Sequence, residues 1–330
     1  MDALSDVLKS VRLEGAVFIS ATFTEPWCIW SQFGSPVVLD KLARYEHAFY
    51  FHFVVEGACQ VRVLDGGEVI SAAAGDFILF AHDERHVVGS DVRLLPVESA
   101  SLEDANVSDG VLELRHGGGG KVARFVCGYI GCSRSLNRAL FDALPRVMRI
   151  PVGDGPTAAL LGDLLRIAVR ESARRGPGSE SILAKLTELV FVEALRGYVA
   201  ALPAQSKGWL AALRDPHVGR ALALLHGDPG RPWSLDELAR DVALSKSALA
   251  QRFASLVGVS PMRYLHRWRL TLAARELRDG AGPIVRIAAA SGYESEAAFN
   301  RAFRREFGMP PATWRKTATA GAIEGRVDAS

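Results

Sequence analysis

The chain has 330 residues, of which 49% are hydrophobic and 23% charged, and four cysteines. This composition is typical of globular proteins, and the length allows two or three domains. A chain disordered throughout, a collagen-like repeat and a small disulfide-rich protein are excluded. The first residues carry acidic side chains and no long apolar stretch, so we expect no signal peptide. Because no segment reaches the ~18 apolar residues of a membrane span, we expect a cytoplasmic protein that does not bind membranes.

Positive charge is concentrated towards the carboxyl end. Residues 207–317 contain 18 Lys and Arg against 10 Asp and Glu, a net charge of +8 within a chain whose net charge is +2. A basic segment beside an acidic one indicates that one end binds a polyanion, although a basic solvated surface gives the same count. Most of these charges are arginines, whose planar fork suits phosphates and guanine edges.

Residues 1–150 are predicted to form a β domain. Short apolar runs alternate with Gly, Asp and Pro, which is typical of a sandwich or barrel. The runs are GAVFISATF, HAFYFHFVVEG, CQVRVLDGG, GDFILFAH and VARFVCGYIG. Asp65, Gly66 and Gly67 predict a hairpin turn, and the four glycines at 117–120 predict a flexible loop.

Residues 151–206 change to a helical period. TAALLGDLLRIAVRES and SILAKLTELVFVEALRGYVA repeat apolar positions every three or four residues, which predicts two amphipathic helices. Pro177 and its neighbouring glycines break the helix between them. The second helix has more than one apolar stripe. Its surplus surface is covered either by the rest of the chain or by a second copy, which makes residues 156–200 a candidate dimer interface.

Residues 207–317 are predicted to be all helical and to contain an internal repeat. A shift of 50 residues places Ala239 on Ala289, Phe253 on Phe303 and Gly258 on Gly308. A repeat of this length indicates one supersecondary unit used twice. We expect the tail at 318–330 to be disordered.

Each copy is predicted to be a helix, a tight turn and a second helix. The first copy begins with a capping box at Ser234, and Ser245 and Ser295 are predicted to cap the two second helices. Gly258 and Gly308 are predicted to end them. A longer helix over residues 262–278 joins the copies. This order is the helix-turn-helix pattern.

The segment at 234–315 resembles the DNA-binding domain of AraC/XylS-type transcription regulators. The most distinctive pieces are GVSPMRYLHRWRL, IAAASGYESEAAFNRAFRREFG and PPATWR. The resemblance implies a transcription regulator, more often an activator in this family, that works with RNA polymerase. It also implies that the second helix of each copy enters one of two successive major grooves of double-stranded DNA.

The resemblance also implies which residues contact DNA. The candidates for base contacts are Ser247, Ala250, Gln251, Glu296, Ala297, Asn300 and Arg301. Gln251 and Asn300 can read adenine, and Arg301 can bind guanine. Glu296 can accept a hydrogen bond from cytosine N4. The candidates for phosphate contacts are Lys246, Arg252, Arg304 and Arg305, and such contacts hold the protein in register without reading sequence.

The β domain resembles the cupin-type sensor domain of one branch of the same family, through FHFVVEG, GDFILFAHDERH and FVCGYIG. The resemblance places His52 and His86 on strands that face the interior, where they can bind a metal or a small polar effector. Histidines hydrogen-bonded in the core are the alternative. The His-x-His pair of metal-binding cupins is missing, so we expect no metal and no other cofactor.

Cys127 and Cys132 are candidates for an oxidant response, with buried inert thiols as the alternative. A disulfide between them requires the chain to fold back on itself.

The sequence therefore predicts an α+β protein of several domains. It has a cupin-like sandwich or barrel at 1–150, a helical linker at 151–206 and an all-α domain at 207–317 with two helix-turn-helix units. Its predicted function is regulation of transcription in response to a small-molecule or oxidant effector, with no catalytic residues. The alternatives are a metal-dependent cupin enzyme fused to a DNA-binding module, and a protein that binds another protein through its helices.

Overall fold

The computed structural model describes residues 3–8, 13–31, 47–64, 67–82, 85–103, 107–108, 111–132, 144–151, 156–174, 176–203, 205–278, 280 and 282–316. These residues form two compact units. The β unit consists of the described residues between 12 and 202, and the helical unit consists of those from 203 onwards together with the helix at the amino end. Among the described residues, no helix is long and apolar enough to cross a membrane.

The β unit is a sandwich of two sheets, which confirms the predicted cupin-like fold. Its strands are β1 (Leu13–Thr24), β2 (Cys28–Ser31), β3 (His47–Glu56), β4 (Ala58–Val63), β5 (Ile70–Ala73), β6 (Asp76–Phe80), β7 (His86–Gly89), β8 (Val97–Glu98), β9 (Val107–Ser108), β10 (Val111–Gly117), β11 (Val122–Cys132) and β12 (Val147–Pro151). One sheet has the order β12-β6-β3-β11-β1-β10-β9, and the other β5-β4-β7-β2-β8. The pairs β1–β10 and β2–β8 are parallel.

Strand β3 is buried on both faces, which explains why successive residues of HAFYFHFVVE are apolar. Tyr50 and Val54 belong to the core between the sheets. Phe49 points to the other face, where its ring lies 4.9 Å from the ring of Phe191. The seven-stranded sheet therefore has a second apolar layer on its outer side.

That second layer is the predicted helical pair. The β unit contains α2 (Ala100–Glu103), α3 (Pro156–Arg174) and α4 (Ser179–Ala201). Helices α3 and α4 bury Leu161, Leu165, Ala168, Val190, Phe191, Ala194 and Leu195. A Cβ at Gly197 would lie 3.1 Å from Ile150 Cγ2, so α4 packs closely on β12. Residues 156–201 are thus part of the β unit and not a separate linker, because the sheet covers the buried face of both helices.

The glycine run at 117–120 differs from the flexible loop that we predicted. Its backbone lies against β1, and a Cβ at Gly117 would come within 1.9 Å of Thr24 O. Gly118 N donates to Thr24 O at 3.0 Å, and Gly120 N donates to Glu25 O at 2.8 Å. Only glycine permits this approach. Of the other predicted turn, Asp65 and Gly66 lie outside the described residues, although β4 and β5 pair antiparallel as a hairpin requires.

The helical unit contains two helix-turn-helix (HTH) motifs, as predicted. Its helices are α1 (Ala3–Leu8), α5 (Trp209–Ala212), α6 (Val218–Gly227), α7 (Leu235–Asp241), α8 (Lys246–Val257), α9 (Pro261–Arg278), α10 (Ile284–Ala290) and α11 (Glu296–Phe307). Helices α7 and α8 form the first HTH, α10 and α11 form the second, and α9 joins them. The predicted disordered tail lies outside the described residues.

The local signals for the ends of these helices are confirmed. Ser234 begins α7 with a capping box, in which its hydroxyl accepts from the backbone N–H of the glutamate three residues later. Ser245 and Ser295 cap α8 and α11 in the same way. Gly258 and Gly308 end these helices with left-handed backbone angles, φ 82° and 79°. The caps satisfy backbone groups that a helix end leaves without partners.

The repeat has a different register in its first half from the one that we predicted. Leu244 N donates to Ala239 O and Tyr293 N donates to Ala288 O, both at 3.0 Å. Ala239 is therefore equivalent to Ala288, a shift of 49, and Ala289 is exposed. The second HTH has one more residue between its turn and its second helix, so the shift becomes 50 only in α8 and α11.

A buried hydrogen-bonded cluster lies beneath the first HTH. Trp209 Nε1 donates to the Tyr264 hydroxyl at 2.8 Å, and this hydroxyl lies 2.7 Å from His226 Nε2. The His226 ring also packs on Trp268, with 4.2 Å between ring centroids. Burial lowers the pKa of His226 to about 4. The cluster therefore holds a neutral imidazole and connects α5, α6 and α9.

We expect acid to destabilise the helical unit through His226. The unfolded imidazole titrates near pH ~6.5, whereas the folded one titrates at about 4. The neutral form is thus fully stabilising above pH ~6.5, and its contribution falls as the pH drops towards 4, by roughly 2 kcal/mol at pH 5. Urea unfolding of wild type and His226→Gln at pH 7 and pH 5 measures this contribution. The advantage of the wild type should shrink at pH 5, and an unchanged difference contradicts the assignment.

Candidate nucleic-acid interface and interior cavity

Helix α8 buries one face and exposes the face predicted to meet DNA. Leu249 and Phe253 are fully buried. Ser247 and Gln251 are exposed on the opposite side, and Ala250 is half-buried beside them. The predicted base-facing residues of the first HTH therefore lie on an outward surface.

Helix α11 has the same arrangement. Phe299 and Phe303 are fully buried, whereas the predicted contact residues Glu296, Ala297, Arg301, Arg304 and Arg305 are exposed. Asn300 is half-buried, and its Nδ2 donates to Glu296 O at 3.0 Å. A base contact by Asn300 would have to replace or share this hydrogen bond. The exposed face of α11 carries three arginines beside the carboxylate of Glu296.

Two of the four phosphate candidates are paired with carboxylates. Arg252 Nε and Nη2 contact Asp215 Oδ2 at 2.8 and 2.6 Å. Lys246 Nζ contacts Asp236 Oδ2 at 2.8 Å. A phosphate must compete with these carboxylates or share the cation with them. The pairing is not visible in the sequence, because Asp215 lies 37 residues before Arg252.

Asp215 has a second role at the start of α6. Its Oδ1 accepts from the backbone N–H groups of His217 and Val218 at 3.0 and 2.9 Å. Burial alone would raise the pKa of Asp215, but the hydrogen bonds from Arg252 and from the two N–H groups outweigh it and lower this pKa. One ionised carboxylate therefore fixes the first turn of α6 and the direction of the Arg252 side chain.

A cavity lies between the two sheets of the β unit. Its lining residues are Ile19, Ala21, Phe23, Ile29, Trp30, Ser31, Tyr50, His52, Val88, Ser99, Leu114, Phe125, Cys127, Gly128 and Tyr129. None of these described residues is Asp, Glu, Lys or Arg. The cavity has a volume of about 40 Å³, whereas ligand pockets usually have ~300 Å³ or more. A larger ligand would have to displace side chains.

The cavity wall holds a buried chain of three polar side chains. His52 Nδ1 lies 2.9 Å from Cys127 Sγ, and His52 Nε2 lies 2.8 Å from His86 Nε2. Burial, and then the neighbouring His86, hold the pKa of His52 well below its usual value. Burial also raises the pKa of Cys127. The thiol therefore keeps its proton and donates to His52 Nδ1, and neutral His52 donates from Nε2 to His86.

The predicted histidines are thus brought together, with a partner that the sequence did not reveal. His52 and Cys127 are opposite each other in the pairing of β3 with β11. Among the described residues, no group of three or more His, Cys, Asp or Glu side chains is arranged to hold a metal ion. Ser99 was not predicted as a site residue, and its buried Oγ has no hydrogen-bond partner among the described residues.

The two cysteines that we predicted as a redox pair are far apart because both lie in one extended strand. Cys127 and Cys132 both lie in β11, so their Cα atoms are about 16 Å apart at the usual rise of an extended strand. A disulfide needs Cα atoms within ~7 Å, so an intact β11 excludes one between them. Burial also raises the pKa of Cys59, to about 12. The thiols of Cys59 and Cys127 are therefore protonated at neutral pH, the less reactive form.

The two units define a DNA-binding regulator: a cupin-type β domain and a double HTH domain whose second helices face outwards. Residues 2–200 match the cupin family, and residues 238–317 match a helix-turn-helix domain family. The chain belongs to the AraC-like transcription regulators. A protein of Streptomyces lividans described as an AraC-like transcription regulator is 35% identical over 319 residues, which cover 97% of this chain and 99% of that one.

Two further proteins match most of this chain. The HTH-type transcriptional regulator AlkR of Acinetobacter baylyi is 28% identical over 326 residues, which cover 96% of this chain and 99% of AlkR. The crystal structure of ToxT from Vibrio cholerae covers 92% of this chain and 98% of its own, at 12% identity and a TM-score of 0.35. The whole-length match to AlkR includes both the cupin-type domain and the HTH domain.

Proposed function

We propose that this chain activates transcription by placing α8 and α11 in two successive major grooves of one duplex, in contact with RNA polymerase. The observation that carries the proposal is the outward exposure of both second helices, each backed by a fully buried phenylalanine, Phe253 or Phe303. The net charge of +8 over residues 207–317 suits a polyanionic partner. Relatives that cover the whole chain are named as regulators, which supports a cytoplasmic, non-enzymatic role at promoters.

We assign base reading chiefly to the second HTH. Arg301 is exposed and has the two donors that match guanine O6 and N7. Gln251 is its counterpart in the first HTH, flanked only by the short side chains of Ser247 and Ala250. Phosphate contacts are assigned to Arg304 and Arg305, and to Lys246 and Arg252 once their carboxylate partners yield.

We further propose that the signal acts at the cavity beside His52 and His86. The lining is mostly apolar and aromatic, and its polar groups include neutral His52 and the Ser99 hydroxyl, which has no hydrogen-bond partner among the described residues. Such a lining favours a small uncharged molecule with one hydrogen-bonding group, because an ion would lose its hydration without gaining a counter-charge. The competing signal is oxidation of Cys127 by a reagent small enough to enter the cavity. A disulfide formed by Cys127 would then involve a thiol other than that of Cys132.

A homodimer through α3 and α4 is also proposed. Four apolar side chains stay exposed on these helices: Leu160 by 41%, Ile167 by 48%, Ile182 by 44% and Leu189 by 41%. In each helix the two side chains are seven residues apart, so they lie on one side, two turns from each other. An apolar stripe of this kind is the seam along which helices pair in coiled coils.

The DNA-binding proposal is tested by selecting bound sites from random duplex DNA with the full-length chain. We expect a bipartite site with half-sites about one helical turn apart, and an affinity that falls steeply with salt because phosphate contacts release counterions. A chain that enriches no sequence, or whose binding is insensitive to salt, contradicts the proposal.

On the selected site, Arg301→Ala should weaken binding by roughly 1–3 kcal/mol at one base pair and relax specificity there. Arg304→Ala is the matched control, because loss of a phosphate contact lowers affinity equally on all sequences and reduces the salt slope by about 1. Titrations on the site and on its single-base variants measure both effects. An equal loss on every sequence would reassign Arg301 to a phosphate contact.

For the sensor proposal, His52→Gln should remove the response of a reporter fused to the selected site, while uninduced DNA affinity stays within about twofold. The amide cannot both accept from Cys127 and donate to His86 in the geometry of an imidazole. His116→Gln, outside the cavity, should respond as wild type does. If Cys127→Ser alone abolishes the response and His52→Gln leaves it intact, the signal acts through the thiol.

For the dimer proposal, sedimentation of the wild type at micromolar concentration should show a dimer. Leu189→Asp should give a monomer, because it buries a charge in the apolar seam. Glu188→Lys is the control and should remain dimeric, because Glu188 is exposed by 50% at its side chain and lies about 100° around the helix from Leu189. A monomeric wild type contradicts the proposal.

A further inference from the structure

The guanidinium of Arg269 bonds to the segment that leads into the first HTH. Arg269 lies in the middle of α9, and its Nε donates to Pro229 O at 2.6 Å. Its Nη2 donates to Arg231 O at 2.7 Å. Both acceptors are backbone carbonyls just before α7. The planar fork of arginine makes two hydrogen bonds in fixed directions, which a lysine cannot do.

The same guanidinium lies against the turn of the second HTH. Gly292 has φ +81°, and a Cβ there would come within 2.9 Å of Arg269 Nη1 and 3.4 Å of its Cζ. The next residue, Tyr293, bonds through its hydroxyl to His266 Nε2 at 3.0 Å. His266 and Arg269, one turn apart on α9, thus both contact the turn of the second HTH. Arg269 also bonds to the segment before the first HTH.

Each HTH has its own core apart from Arg269. Tyr264, near the start of α9, packs on Phe253 of the first HTH with 5.7 Å between ring centroids. Leu270 and Leu277 belong to the core of the second HTH. Removing the Arg269 side chain therefore leaves both cores in place and removes one side chain that contacts both motifs.

We propose that Arg269 is a positioning residue that fixes α8 relative to α11 and thereby sets the half-site spacing that the protein accepts. The inference rests on the proposed function, in which both helices bind one duplex. One inserted base pair moves a half-site about 3.4 Å along the axis and rotates it by roughly 35°. A protein in which α8 and α11 are fixed relative to each other cannot follow this change and loses one of its two groove contacts. A protein without the Arg269 contacts can adjust the position of one HTH.

The test uses the full-length chain and the selected bipartite site with one base pair inserted or deleted between the half-sites. The wild type should lose roughly tenfold or more in affinity at the altered spacings, as for a lost base contact. Arg269→Gln should lose less than about threefold at those spacings, while its affinity for a duplex with only the second half-site stays within about twofold of wild type. Arg263→Gln, an exposed arginine on α9, removes the same charge and should keep the wild-type spacing preference.

Two outcomes overturn the inference alone: Arg269→Gln keeps the wild-type spacing preference, or it lowers affinity equally for all spacings and for the single half-site. If thermal melting shows that Arg269→Gln does not fold, Gly292→Ala decides the question. The methyl group that this substitution adds would displace the Arg269 guanidinium from the turn. Gly292→Ala should therefore relax the spacing preference, and an unchanged preference overturns the inference. A wild-type chain that selects no DNA sequence at all overturns the proposed function instead.

Discussion

The helical unit depends on one helix that belongs to two cores. The first half of α9 packs on the first HTH through Tyr264, and its second half is buried with Phe299 and Phe303 of the second HTH. A motif of two short helices cannot bury enough apolar surface alone. Since α9 completes both cores, it turns the opposite faces of α8 and α11 to solvent. The outward direction of the candidate DNA-binding faces is therefore a consequence of core packing.

In the β unit, strand β3 likewise contributes side chains to two separate packed layers. Neighbouring residues of a strand point to opposite faces, so His52 reaches the cavity while Phe51 packs on Phe77 under the helical layer, with 5.3 Å between ring centroids. Phe49 on the same face contacts Phe191 of α4. The candidate sensor cavity and the helices with the exposed apolar stripe thus lie on opposite faces of the same sheet.

Local signals in the sequence predicted the helical unit well. Serine caps, glycine ends and apolar periods depend on residues within about four positions of each other. The serine caps were confirmed at α7, α8 and α11, and the glycine ends at α8 and α11. Long-range contacts were not predictable in this way. The ion pair of Arg252 with Asp215 joins residues 37 apart, and the packing of α4 on β12 joins two predicted domains. The contact of His52 with Cys127 depends on the register of β3 with β11, which no local pattern specifies.

The register of the repeat shows how packing limits divergence between the two copies. Both turns make the same hydrogen bond and place one residue in the left-handed region, Ala243 with φ 56° and Gly292 with φ 81°. An alanine costs roughly 1–2 kcal/mol in this conformation, and the Ala243 methyl group lies at an exposed position. The second HTH has the Arg269 guanidinium in the place of a side chain at 292, so a methyl group there would meet both backbone strain and a steric clash. The contact with α9 therefore accounts for the glycine at the second turn. Alignment by residue identity pairs Ala243 with Tyr293, whereas the hydrogen bonds of the two turns pair it with Gly292.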